Sequence, residues 1–212
     1  MDGLTLAILL HGLLGSALAC AVFAVGLGCV GRLPRGELFA YPPGLLLVTL
    51  AAFLVLVEPW LAPLAAVVLL VPIVLLARRR AAEPFRRAGP AVAWSIIPGL
   101  GLAAALGALN HGPTATLASS AYGDMLFYAA KLVSATESLF PFRDLTVAGE
   151  EHVFVESSWV VVGAALAGVP GFDPILFQAC TAPAFLVTAI AIGTGLLLGP
   201  RGRSATLAVV GV

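Results

Sequence analysis

Two stretches of this chain, Leu4 to Val30 and residues 45 to 77, run almost free of charged side chains for longer than a soluble element needs. That constrains the fold more than any other feature. About 20 mostly apolar residues make a helix long enough to cross a bilayer. Only 10% of the residues are charged and 60% are hydrophobic, against roughly 25% charged in a soluble domain, and the mean hydropathy is +1.06. The chain therefore reads as an integral membrane protein of the all-α class. One polytopic transmembrane domain is expected over residues 1–212, with about six transmembrane helices. The net charge of zero gives no general field that would attract nucleic acid, so none is expected as a partner.

The second run is too long for one span and is broken by Glu58-Pro59-Trp60. Proline removes a backbone donor, and a carboxylate is costly at the bilayer centre. The break is therefore expected at the water interface, between two helices of about 43–57 and 61–77, with the Trp60 indole anchored among headgroups. Arg78, Arg79, Arg80, Arg86 and Arg87 follow, and basic loops stay on the cytoplasmic side. Counting back puts Arg32 and Arg35 inside too and the N-terminus outside. Counting forward, residues 91–109 cross outward, residues 110–158 form an extracytoplasmic loop, and a short fifth span crosses inward from about Ser158 to Gly168. The first turns of that fifth span are expected to include Val153 to Glu156. The Pro170 to Pro174 turn is then inside and Ile175 to Leu198 returns outward, which leaves Arg201 and Arg203 on the side the charge rule disfavours. Ala205 to Val212 begins like a further span, so the chain is expected to be the N-terminal part of a longer protein. Bacterial plasma membrane is the expected location.

Cys20, Cys29 and Cys180 sit in apolar runs without metal or redox spacing and read as small apolar residues. His11, one turn before Gly15, reads as a packed polar residue bonded across helices. Gly99, Gly101, Gly163, Gly193 and Gly195 are expected to permit close helix packing, while Pro72 and Pro98 are candidate helix breaks.

The 110–158 loop holds six of the eleven acidic residues, and chemistry is expected there. Residues 122–140 have helical periodicity, with Met125, Leu126, Ala129, Leu132, Val133, Thr136 and Phe140 on one face. Asp124, Tyr128 and Lys131, spaced i, i+4, i+7, share another. The pattern describes an amphipathic helix lying on the membrane surface, apolar side down. Glu150, Glu151 and His152 carry oxygen and nitrogen ligands that suit a divalent cation such as magnesium or manganese. Neighbours on an extended segment point opposite ways, however, and no residue is assigned to metal.

The run Tyr122-Gly-Asp-Met-Leu-Phe127, the helix it opens, Pro141, Asp144, Ala148-Gly149-Glu150 and the Gly168-Val-Pro-Gly171 turn together resemble the first extracytoplasmic loop of GT-C-type polytopic glycosyltransferases. The resemblance covers about residues 118–190. It implies transfer of a sugar from a polyprenyl-phosphate donor to an acceptor outside the cytoplasm, with Asp124 at the position of the family's catalytic acid. Partial desolvation raises the basicity of such a carboxylate, which can then take a proton from an attacking hydroxyl. Lys131 or Arg143 would meet the lipid phosphate. Tyr128 and His152 stand where many relatives carry a histidine and a Tyr–His pair, and with Asp144 they complete the expected substrate-binding set. A transporter component, a scaffold or an inactive fragment is the alternative.

Overall fold

A computed structural model describes residues 3–78, 82–110, 124–138 and 157–198. Among them every regular element is helical. α1 is Gly3–Val30, α2 Tyr41–Val57, α3 Ala62–Arg78, α4 Ala82–Asn110, α5 Asp124–Ser138, α6 Ser158–Leu166 and α7 Pro174–Leu198. Two of them, α1 and α7, are long and apolar enough to cross a membrane. Shorter apolar helices cover Tyr41–Val57, Pro59–Leu75 and Ala88–Leu102.

The expected break at Glu58 is present. Glu58 is extended, at φ −151° and ψ 117°, and a short 3₁₀ turn over Pro59–Leu61 leads into α3. Glu58 is exposed, and so is Trp60, at 72% of its surface. Pro72 and Pro98, by contrast, lie inside continuous helices. Each removes one hydrogen bond, but the Pro72 backbone packs directly onto Gly28 of α1 and Gly99 brings α4 against α1 and α7, so neighbouring helices hold the axis through the gap.

Close approach sets the packing. Gly26 and Gly44 bring α1 and α2 together, with the Ala40 carbonyl where a side chain on Gly26 would stand and the Val22 carbonyl where one on Gly44 would. These pairings make α2 antiparallel to α1. Gly28 on Pro72 makes α3 parallel to α1. Gly99 touches Ser16 and Thr188, while Ala88 and Ile192 join Leu27 and Phe23 in one cluster, so α4 runs antiparallel to both α1 and α7. Of the other glycines expected at helix contacts, Gly163 and Gly195 make them, whereas Gly101 and Gly193 face open space.

The last third differs from the sequence expectation. α6 starts at Ser158 because the Ser157 hydroxyl accepts the Val160 N–H and caps it, and it has nine residues, about 14 Å. That is half of the roughly 30 Å of a bilayer core. Its first turn reaches Phe185, whose backbone abuts Gly15 near the middle of α1. The 167–173 turn then packs on His11, toward the Gly3 end of α1. Val153 to Glu156, expected to form the first turns of this span, lie outside the described residues. α7 descends parallel to α1, through Thr181 at His11, Thr188 at Ser16 and Ile192 in the Leu27 cluster. Leu198 thus ends at the Val30 end of the bundle. Arg201 and Arg203 lie outside the described residues.

Candidate functional site

Where α5, α6 and the start of α7 meet at the Gly3 end, polar groups and aromatic rings converge. The Asp173 carboxylate accepts the N–H groups of Ile175 at 2.8 Å and Leu176 at 3.0 Å, capping α7 one residue ahead of Pro174. Capping by Asp and proline at the first helical position are each favoured there. The turn before it closes with Val169 N–H to the Leu166 carbonyl and Phe172 N–H to the Val169 carbonyl. Gly171 adopts φ 82°, a conformation that side chains with a Cβ resist.

His11 fastens this turn to α1. Its ring is 4% exposed, with Nδ1 2.9 Å from the Ala7 carbonyl and Nε2 3.2 Å from the Asp173 backbone nitrogen. A carbonyl can only accept and this N–H can only donate, so the geometry requires the neutral tautomer protonated at Nδ1. The cross-helix bond expected for His11 is thereby accounted for, although its partner is a turn that the sequence placed on the opposite face.

Beyond the turn, α7 contains one π turn over Phe177–Thr181, closed by the Ala182 N–H on the Phe177 carbonyl. Such turns recur at functional positions. Phe177 stacks on Trp159 at 4.6 Å and meets Phe172 at 5.3 Å, and Phe172 lies 6.2 Å from His11. Trp159 Nε1–H donates to the Gln178 side-chain oxygen at 3.2 Å. Gln178 is only 8% exposed, and its amide nitrogen has no partner. Two spaces flank the turn. A cavity of about 230 Å³ lies between Leu10, His11 and Leu14 on one side and Leu166, Val169 and Phe172 on the other. A shallower groove of about 310 Å³ separates Ala129, Ala130 and Val133 of α5 from Asp173, Pro174 and Ile175.

Of the residues singled out in the sequence, Asp124 opens α5, Tyr128 follows one turn later, and Lys131 is half-buried on the same helix. Arg143, Asp144 and His152 lie outside the described residues, as do Glu150 and Glu151. Among the described residues no group of three His, Cys, Asp or Glu side chains could hold a metal. The apolar side of α5 meets protein: Ala129, Leu132, Ser134 and Ala135 are buried, and Leu132 sits against Gly163 and Phe177. Val133, expected on that same face, is 38% exposed. All three cysteines are free, with Cys180 buried, Cys20 half-buried and Cys29 exposed on α1.

Sequence reasoning missed Trp159, Gln178 and Asp173 as members of one site. The Gly-Phe-Asp-Pro string was legible as a helix start, but its partner lies 162 positions away. Compared with known protein families, with curated proteins and with solved structures, the chain matches none.

Proposed function

We propose that this chain is a multi-pass membrane protein in which α1, α2, α3, α4 and α7 cross the bilayer, five crossings in place of six, while α5 and α6 gather at one end. We assign that end to the outer face of a bacterial plasma membrane and to transfer of a sugar from a polyprenyl-phosphate donor. The reading is supported by the mooring of α5: the helix that carries Asp124 in its first turn is held by Ala129, Leu132 and Ala135 against α6 and α7, and Ala129, Ala130 and Val133 of the same helix line the 310 Å³ groove. In the reaction, the acceptor hydroxyl loses its proton to Asp124 as its oxygen bonds to the anomeric carbon. The bond from that carbon to the phosphate oxygen breaks, and the polyprenyl phosphate leaves. Lys131 or Arg143 would neutralise the phosphate, and Tyr128, Asp144 and His152 would hold sugar hydroxyls. Loss of a general base costs about 10²–10⁴ in rate, so Asp124→Asn should abolish transfer of labelled sugar from a polyprenyl-phosphate donor in membranes. Transfer at the native rate by a normally expressed variant would overturn the assignment.

A second reading, a transporter component, is favoured by the half-length α6 and the π-interrupted α7, because discontinuous helices meeting inside the bilayer are a hallmark of transport sites. Under it, substrate uptake survives Asp124→Asn and is lost when proline at Val161 breaks α6.

A further inference from the structure

We infer that the loop between α1 and α2 binds an anionic phospholipid, with Arg32 and Arg35 on the headgroup phosphate and Leu38 and Phe39 beside the acyl chains. The inference requires that α1 crosses a membrane and is independent of the sugar-transfer reading. With 28 residues, α1 is about 42 Å long. That matches the roughly 40–45 Å of a bilayer counted through its headgroups and exceeds the hydrocarbon core of about 30 Å. The chain therefore leaves Val30 at the level of the lipid phosphates.

From there the loop turns back into the bilayer. Gly36 lies under the Val30 carbonyl, and the Ala40 carbonyl already lies on Gly26, one turn back along α1. Arg32 and Arg35 stand at the outer end of this path, and both are exposed. Leu38 and Phe39 come between the two fixed points, exposed over 37% and 63% of their surface. Cations above and apolar side chains below follow the order of a phospholipid, phosphate over chains. Neither arginine is neutralised from within the loop. Glu37 is the one carboxylate in residues 31–40, and among the described residues no ion pair or side-chain hydrogen bond joins it to Arg32 or Arg35. On the orientation proposed above the loop faces the cytoplasmic leaflet, whose anionic lipids attract basic segments next to a spanning helix.

The backbone supplies an independent observation. Arg35 has φ 57° and ψ 29°, the left-handed region, where a Cβ is penalised and glycine is the ordinary occupant. Among the described residues no other non-glycine residue has a positive φ. A turn that only reversed the chain would be better served by glycine at this position. Arginine there supplies a fork of N–H donors that matches a phosphate.

The full chain in detergent, titrated with phosphatidylglycerol or phosphatidylcholine of equal chain length and read by native mass spectrometry, tests this. The native chain should prefer phosphatidylglycerol, and Arg32→Gln and Arg35→Gly should each lower that preference about fivefold, the worth of one cation at a membrane surface. Because glycine suits the left-handed backbone, Arg35→Gly should melt no lower than the native chain while it loses lipid, which separates a lipid contact from a need of the turn. An absent preference in the native chain, or one kept by both variants, overturns the proposal. So does an equal loss in Arg86→Gln, an exposed arginine beside Ala88 at the same end of the bundle, since the arginines would then act only as a diffuse field. Glycerol phosphate, which has the headgroup chemistry without the chains, should not displace the lipid; displacement at equal concentration would make the ligand a soluble phosphate and overturn the lipid assignment. A chain that stays dispersed in buffer without detergent would instead refute the crossing by α1. If Arg35→Gly fails to fold, Arg32→Gln decides the matter alone.

Discussion

The seam where α1, α4 and α7 meet and the corner where α5, α6 and the 167–173 turn meet are built on opposite plans. In the seam, full-length helices touch through missing side chains. Gly15 faces the Thr181 carbonyl and Ala184, Gly99 faces Ser16 and Thr188, and the two hydroxyls of that pair bond at 3.0 Å. In the corner a half-length helix leaves room that rings fill incompletely, and a cavity and an unpartnered amide remain. Between lipid-embedded helices there is little water to expel, so close packing and interhelical hydrogen bonds carry association. The seam uses both means. The corner depends on a few large side chains, and it is the part with freedom to change.

That contrast can be broken most sharply at Phe177, whose ring meets Trp159, Phe172 and Gly163. Phe177→Ala should lower stability by about 3–5 kcal/mol, read as a reduced melting temperature in detergent. A loss confined to a few tenths would mean that the rings are ornaments on an otherwise self-sufficient corner. Next in size, Gly99→Val should cost about 1–3 kcal/mol through overpacking against Ser16 and Thr188, whereas Gly101→Val, two residues along the same helix and facing open space, should be near neutral by the same assay. Equal losses would show that α4 responds to glycine replacement through its backbone and not through the seam. Smallest is the Ser16–Thr188 bond. A double-mutant cycle to alanine should return a coupling of about 0.6 kcal/mol, and zero coupling would reduce the seam to shape alone.

Much of the architecture was readable from local chemistry. Glu58-Pro59 ends α2 because a carboxylate and a proline cannot both continue an apolar helix, and α5 starts at Asp124 where an acid suits the N-terminal dipole. The depth of α6 was not readable. Ser158 to Leu166 is as apolar as a true span, and hydropathy does not report where a helix stops; the turn that follows it is tied to α1 by a bond from residue 173 to residue 11. A warning was nonetheless present in the sequence. Six crossings place Arg201 and Arg203 with the minority of cations, whereas the five crossings proposed above place them with the majority. Pro72 and Pro98 misled in the other direction, since local propensity marks them as breaks and the packing of neighbours overrides it. For the candidate site, the spacing of Asp124, Tyr128 and Lys131 on one helix was legible, while the Trp159–Gln178 pair, joined across two helices, was not.

Parity separates the five-crossing proposal from a chain with six crossings. On the five-crossing proposal the Gly3 end of α1 and the Leu198 end of α7 face different compartments, whereas six crossings would return them to the same one. A reporter enzyme fused directly after Leu198 and another ahead of Met1 should therefore never be active together on one side of the membrane.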